Sequence, residues 1–371
     1  MGNAPEEGTR VKDEICSCDA LVAGCSGGAP AARPSRGEGA AGTSCDGASQ
    51  LRRCALIAAL WLFAACCGWA EEKASVIVVA GAGGEAEYAT TFGKSAAQWK
   101  QAGEAGGAAV RTIGLEERAA QSLEQLRAAL RDEPKDGATE LWIVLLGHGN
   151  AEMKDAKFNL TGDDLSATEF ATMLAPFHRP LVLIHCFSSS GGFLALLAAP
   201  GRVTVTATRS GSERNYSRFG KYFSEAIGDT AADLDQDGQT SVLEAWLAAA
   251  QRTAAFYKDE GRIATEHSLL DDNGDGKGTP ADFFRGVRVV KKAKDGTPPD
   301  GLRAHQVHLA RNAAERALPA ALRAERDALE IELAKLREAK ATMVEDAYYK
   351  ELETLLLKIA RVYERTPVKA D

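Results

Sequence analysis

Cysteine is almost missing from the greater part of this chain. Of the 8 cysteines in 371 residues, Cys16, Cys18, Cys25, Cys45, Cys54, Cys66 and Cys67 lie before position 70, and residues 71–371 hold Cys186 alone. A lone thiol cannot close an intradomain disulfide, which excludes a disulfide scaffold. Cys186 is either a small buried apolar residue or a nucleophile. A surplus of positive charge is also lacking: 44 basic residues against 52 acidic give a formal net charge of -8. With no global positive field to hold phosphates, nucleic acid is not an expected partner. What is there, 45% hydrophobic and 26% charged residues, is an ordinary globular composition, sufficient for one large domain and a smaller appendage.

Residues 1–50 are rich in Gly, Ala, Ser and charge and show no apolar periodicity, so they are read as a disordered leader. Arg52 and Arg53 then precede the apolar run Cys54 to Ala70, which ends in small residues and is followed by Glu71, Glu72 and Lys73. That layout across 51–70 is that of a secretory signal. The run is at the lower limit for a spanning helix, so membrane anchoring through 54–70 is the alternative. On either reading the folded part is exported, and is secreted, periplasmic or anchored. A signal this far into the chain fits initiation at Leu51, and Phe63-Ala64-Ala65-Cys66 has the layout of a lipobox.

The folded part alternates between two periods. Ser75 to Ala80 reads as a buried strand entering the turn Gly81-Ala82-Gly83-Gly84. A helix from about Ala89 to Ala105, strand Ala108 to Ile113, a helix from Leu115 to Asp132 and strand Glu140 to Leu146 follow. Ser166-Ala167-Thr168-Glu169 is a capping box before the helix Phe170 to Phe177. Strand Leu181 to Cys186, helix Gly192 to Ala199 and strand Arg202 to Thr208 complete the pattern. This is an α/β protein with a mostly parallel sheet covered by helices on both faces. From Pro319 to Thr366 there is no Gly and no internal Pro, and Leu322, Leu329, Leu333, Leu336, Leu352, Leu355 and Ile359 recur at helical spacing. The spacing predicts an α-helical hairpin turning near Glu345-Asp346. The domain reading is 71–295 for the α/β domain and 296–371 for a helical C-terminal appendage.

In a parallel α/β sheet, ligands and catalytic groups gather beyond the C-terminal edge of the strands. Leu141 to Leu146 leads there into Gly147-His148-Gly149, and Leu181 to Cys186 into Phe187-Ser188-Ser189-Ser190-Gly191-Gly192. If the two strands are neighbours, an imidazole and a thiol face one cleft. His185 is the poorer partner for Cys186, because successive strand side chains point to opposite faces. His148 is therefore the expected base and Cys186 the nucleophile. The backbone N–H groups of Gly149 and Cys186 are candidate donors to a tetrahedral oxyanion.

An apolar strand ending in Gly-His-Gly, followed by an apolar strand ending in Cys with Ser and Gly beyond it, resembles the caspase-like cysteine peptidases, and among them the legumain family. Val78-Val79-Ala80-Gly81, Gly84 and Tyr88 are similar to that family's first strand and loop, and the resemblance covers about residues 75 to 225. It implies a caspase-like sheet and peptide-bond cleavage, on protein or peptide substrates, by His148 and Cys186. Resolution of the acyl-enzyme by an amine would make a transpeptidase or transamidase; loss of chemistry would leave a binding module. Ala89-Thr90 stand where legumains carry an Arg-His pair, so asparagine specificity is not implied. The family's Asn that orients the histidine falls at Glu87, which would accept from the imidazole and raise its pKa. Arg209 and Ser210, in the segment leaving the strand after Cys186, fall where related peptidases build the primary specificity pocket; Arg209 would offer a fork to an acidic side chain. The helical prodomain of legumains implies that the C-terminal helices cover the cleft.

Asp233-Leu234-Asp235-Gln236-Asp237-Gly238-Gln239-Thr240-Ser241-Val242-Leu243-Glu244 meets the EF-hand loop pattern over 233–244. Asp233, Asp235 and Asp237 supply side-chain oxygens, Gln239 its carbonyl, Ser241 a hydroxyl or a water, and Glu244 a bidentate carboxylate, with Gly238 at the bend. The expected cofactor is a structural Ca2+. Asp271-Asp272-Asn273-Gly274-Asp275-Gly276 repeats the first half of such a loop, and Gly278 and Pro280 interrupt the second.

Overall fold

The computed structural model describes residues 73–115, 121–152 and 155–365. The leader, signal and anchor expectations for 1–70 lie outside the described residues. Strand β1 (Ser75–Ala80) is followed by α1 (Ala86–Ala105), β2 (Ala109–Ile113), α2 (Ser122–Asp132) and β3 (Leu141–Leu146). A small antiparallel sheet comes next, β4 (Gly149–Glu152), β5 (Asp155–Phe158) and β6 (Leu165–Ser166). After it come α3 (Ala167–Leu174), β7 (Leu181–Cys186), α4 (Gly191–Leu197) and β8 (Arg202–Thr206). Then follow α5 (Phe219–Ala226), α6 (Val242–Asp259), β9 (Leu269–Asp271) and β10 (Thr279–Pro280), with the short hairpin β11 (Phe284–Arg285) and β12 (Arg288–Val289). Helices α7 (Leu302–Gln306), α8 (Ala313–Ala317), α9 (Ala320–Ala339) and α10 (Glu345–Glu364) close the described chain.

The main sheet has 7 strands in the order β10-β9-β8-β7-β3-β1-β2. Neighbours from β2 to β8 pair parallel, and β9 and β10 add an antiparallel edge. The period-two alternation divides each central strand between two cores. Val76, Val78, Trp142, Val144, Leu146, Val182, Ile184 and Cys186 face one, with Trp99, Phe223 and Trp246 from the helices. Ile77, Val79, Ile143, Leu145 and Leu183 face the other, with Leu126, Phe170 and Phe193. Burying each large apolar side chain contributes roughly 1.5–3 kcal/mol, which is why these runs sit at the centre of the sheet.

One local expectation changes. Ser166 caps α3 by accepting from the Glu169 N–H at 3.1 Å, yet the Glu169 carboxylate is bonded by Arg127 of α2 instead of returning to close the box. The C-terminal hairpin turns just before Glu345, where α10 begins. Residues 300–312 are tied into the α/β body: the Asp272 carboxylate accepts from the Gly301 and Ala304 N–H groups, and the Val242 N–H donates to the Val307 carbonyl.

The hairpin does not lie over the edge that carries His148 and Cys186. Helix α9 packs at the N-terminal ends of β3, β7 and β8, where Ala324 and Ile331 face Glu140, Leu181 and Gly201 across a cavity of about 300 Å3. Arg311 pairs with Glu140 beside it. Helix α9, expected to cover the cleft, thus lies at the opposite ends of the strands, because its apolar stripe finds its partner there.

Candidate active site

Strands β3 and β7 are adjacent and parallel, with Leu146 opposite Cys186 in the register. The Gly147 N–H donates to the Cys186 carbonyl at 3.2 Å, so the turn carrying His148 starts level with the thiol-bearing residue. This brings His148 and Cys186 to one edge. His185 points to the other face, fully buried among Phe170, Phe187 and Phe193, with neither ring nitrogen hydrogen-bonded among the described residues and its pKa lowered to about 3 by burial.

The His148 ring sits among three aromatic rings, Tyr88 at 4.8 Å, Phe92 at 5.2 Å and Tyr216 at 5.7 Å. Burial lowers its pKa, and a hydrogen-bonding contact from the Gly83 backbone acts the other way. The imidazole is therefore neutral at neutral pH, the state a general base needs. Glu87, expected as the orienting acceptor, is exposed in the first turn of α1; Gly83, in the turn after β1, takes that place because the turn folds directly against the ring.

Cys186 is 4% exposed, and its thiol is pushed well above the usual cysteine range by burial and then by the charge of Glu266. No hydrogen bond joins Sγ to the His148 ring among the described residues; at rest the edge carries a protonated thiol and a neutral imidazole. Gly220, in the first turn of α5, lies against it: a Cβ there would meet the Cys186 Cβ at 2.6 Å and Sγ at 3.4 Å. Glu266 fixes that turn by accepting from the Ser217 hydroxyl at 2.6 Å, the Arg218 N–H at 3.0 Å, the Phe219 N–H at 3.2 Å and the Tyr257 hydroxyl at 3.1 Å. A carboxylate at a helix N-terminus is favoured by the unpaired N–H groups and the helix dipole. Sequence reading did not single out Glu266, since nothing near it in the chain marks a cap.

The Gly149 N–H, expected to face an oxyanion, donates instead to the Ser188 hydroxyl at 3.2 Å, and that hydroxyl donates back to the Gly149 carbonyl at 3.1 Å. The reason is the small sheet: Gly149 pairs with Phe158, which turns it toward the loop after β7. Arg209 is exposed, and its Nε lies 3.0 Å from Glu213 Oε1. Glu213 also accepts from His267 at 2.6 Å, so the guanidinium expected for substrate is ion-paired through its Nε within its own loop. Ser210 meets the Ser212 hydroxyl at 2.7 Å, on a loop stitched to the one after Cys186 by Ser190, whose Oγ accepts from the Ala207 and Thr208 N–H groups.

In the loop at 233–244, ligand-type oxygens of Asp233, Asp235 and Asp237 lie within 4.8 Å of one another. Asp233 accepts from the N–H groups of Gln236, Asp237 and Gly238, and Gly238 takes the positive φ of the bend, 86°. The buried Glu244 carboxylate accepts from Leu234 and Asp235 N–H on one oxygen and from Ser241 N–H and hydroxyl on the other. Ser241 and Glu244 together form the capping box of α6. The Gln239 side chain donates to Asp237 and accepts from the Asn312 N–H. His305 reaches Asp235 at 2.9 Å. The donor set is hard oxygen, which fits Ca2+.

The loop beginning at Asp271 has the same wiring. Asp300 accepts from the N–H groups of Asp272 and Asn273 and from the Thr279 hydroxyl, the places Glu244 serves in the first loop. Asp300 comes from well beyond the loop, which is why the local pattern there looked interrupted.

No protein-family model matches the chain, and no curated protein matches it. Among solved structures it is similar to the Drosophila initiator caspase Dronc, at 13% identity and a TM-score of 0.34, over 56% of this chain and 81% of that one.

Proposed function

We propose that this chain is a cysteine-type endopeptidase, legumain-like in its motifs, that cleaves peptide bonds through Cys186 and His148. The reading is supported above all by one observation: the register of β3 against β7 brings a glycine-flanked imidazole and the one thiol among the described residues to the same sheet edge. In this reading His148 takes the thiol proton as Sγ attacks the scissile carbonyl. The C–N bond breaks, the leaving amine receives that proton, and water releases the acyl group from sulfur. Attack by an amine in place of water would give transpeptidation. Catalytic hydrogen bonds often form only when substrate is bound, so the open resting pair is compatible with this chemistry. The test is cleavage of a peptide library by the full chain, with loss of cleavage in Cys186→Ala.

The burial of Cys186 and the occupied Gly149 N–H favour a second reading, a catalytically silent binding module. A wild-type chain that cleaves nothing in the library would favour it. We further propose that Asp233, Asp235, Asp237, Gln239, Ser241 and Glu244 hold a Ca2+ ion, which would offset converging carboxylates and stiffen the connection between α5 and α6. The signal-like segment 51–70 supports export of the folded part.

A further inference from the structure

We propose that Arg218 is a specificity residue whose guanidinium receives a carboxylate on the leaving-group side of the scissile bond; this rests on the peptidase reading. Its guanidinium carbon lies over two rings, 4.2 Å from the centre of Phe256 and 5.4 Å from that of Tyr216. Tyr216 in turn packs on the His148 ring and on Tyr88. A cation thus stands one aromatic ring away from the base. Unlike Arg209, which Glu213 neutralises, the Arg218 side chain makes no ion pair among the described residues. The carboxylate beneath this segment, Glu266, is occupied by the donors that fix the first turn of α5, among them the backbone N–H of Arg218 itself.

The side follows from the chemistry. The imidazole must hand its proton to the departing amine, so the leaving half of the substrate passes over His148. Tyr216 flanks that path and Arg218 lies beyond it. A half-buried guanidinium stacked on rings has lost part of its hydration and keeps its fork free, and a carboxylate satisfies that geometry with two parallel charge-assisted hydrogen bonds. Two sources present such a group: a Glu or Asp side chain after the cleaved bond, or the free C-terminus of a short peptide. Stacking on Phe256 and Tyr216, above a backbone N–H anchored by Glu266, orients the guanidinium before substrate arrives.

The experiment uses the full chain and matched peptides that carry Glu or Gln after the cleaved bond, with the C-terminus free or amidated. Wild type should show kcat/KM about 10- to 100-fold higher for a form carrying the carboxylate. That ratio should fall with salt, drop to about one in Arg218→Gln, and be only partly retained in Arg218→Lys. The arm in which the ratio appears identifies side chain or terminus. Cleavage with no carboxylate preference in wild type would overturn the inference even if no variant folds, and so would a preference that survives Arg218→Gln. Absence of any cleavage would instead remove the peptidase reading, and this inference with it.

Discussion

Gly220 rests on Cys186, so closely that a Cβ at Gly220 would come within 2.6 Å of the cysteine Cβ. The first turn of α5 therefore fixes how deeply the thiol is set, and the fixing runs through Glu266. Gly220→Ala should force that turn away and cost about 1–3 kcal/mol, as overpacking does. At roughly 2–4 °C per kcal/mol for a domain of this size, the loss is visible in a thermal melt. Alkylation of Cys186 by iodoacetamide should accelerate at the same time. A variant with the wild-type melt and alkylation rate would show that the contact is slack.

His185 should make stability fall with acid. Its folded pKa is lowered to about 3, while an unfolded histidine titrates near the ordinary 6.5. Between those values the unfolded chain binds the extra proton, so stability is present above pH 6.5 and lost as pH drops toward 3. The loss is on the order of a few kcal/mol. Denaturant midpoints measured across this window should decline in wild type and decline less in His185→Phe, whose ring suits the cage of Phe170, Phe187 and Phe193.

The pairing of strand β3 with strand β7 was legible because its signals are local. Two continuous apolar runs ending in Gly-His-Gly and in Cys needed only a neighbour relation, and Leu181–Cys186 falls where the run itself falls. What depended on partners distant in the chain was not legible. Arg209 looked free until Glu213 folded back with His267 on its other side. The loop at Asp271 looked incomplete until Asp300 arrived from beyond it. Glu87 looked like the acceptor for His148, but a helix start aims its side chain outward while the preceding turn presents backbone to the ring.

Calcium should stabilise the fold. At a free concentration 100-fold above the dissociation constant, a site absent from the unfolded chain contributes about 2.7 kcal/mol. EDTA should lower the melting temperature by several degrees, excess Ca2+ should restore it, and Asp233→Ala should abolish the difference. A melt that EDTA leaves in place would contradict the calcium proposal.

Removal of the C-terminal hairpin should not increase peptide turnover. Helix α9 lies at the N-terminal ends of β3, β7 and β8, away from His148. A chain ending before Ala320 should melt at lower temperature, having uncovered Leu181 and its neighbours, while its kcat/KM does not rise. A several-fold rise would mean that the hairpin restrains the site from a distance.

The most direct measurement is covalent labelling of the full chain by a panel of peptidyl acyloxymethyl ketones, which need both a sulfur nucleophile and an aligned imidazole. Wild type should be labelled stoichiometrically at Cys186, Cys186→Ala not at all, and His148→Ala at least about 100-fold more slowly, the usual scale of general-base assistance. Labelling that proceeds equally fast without His148, or a folded wild type that no member of the panel labels, would contradict the dyad.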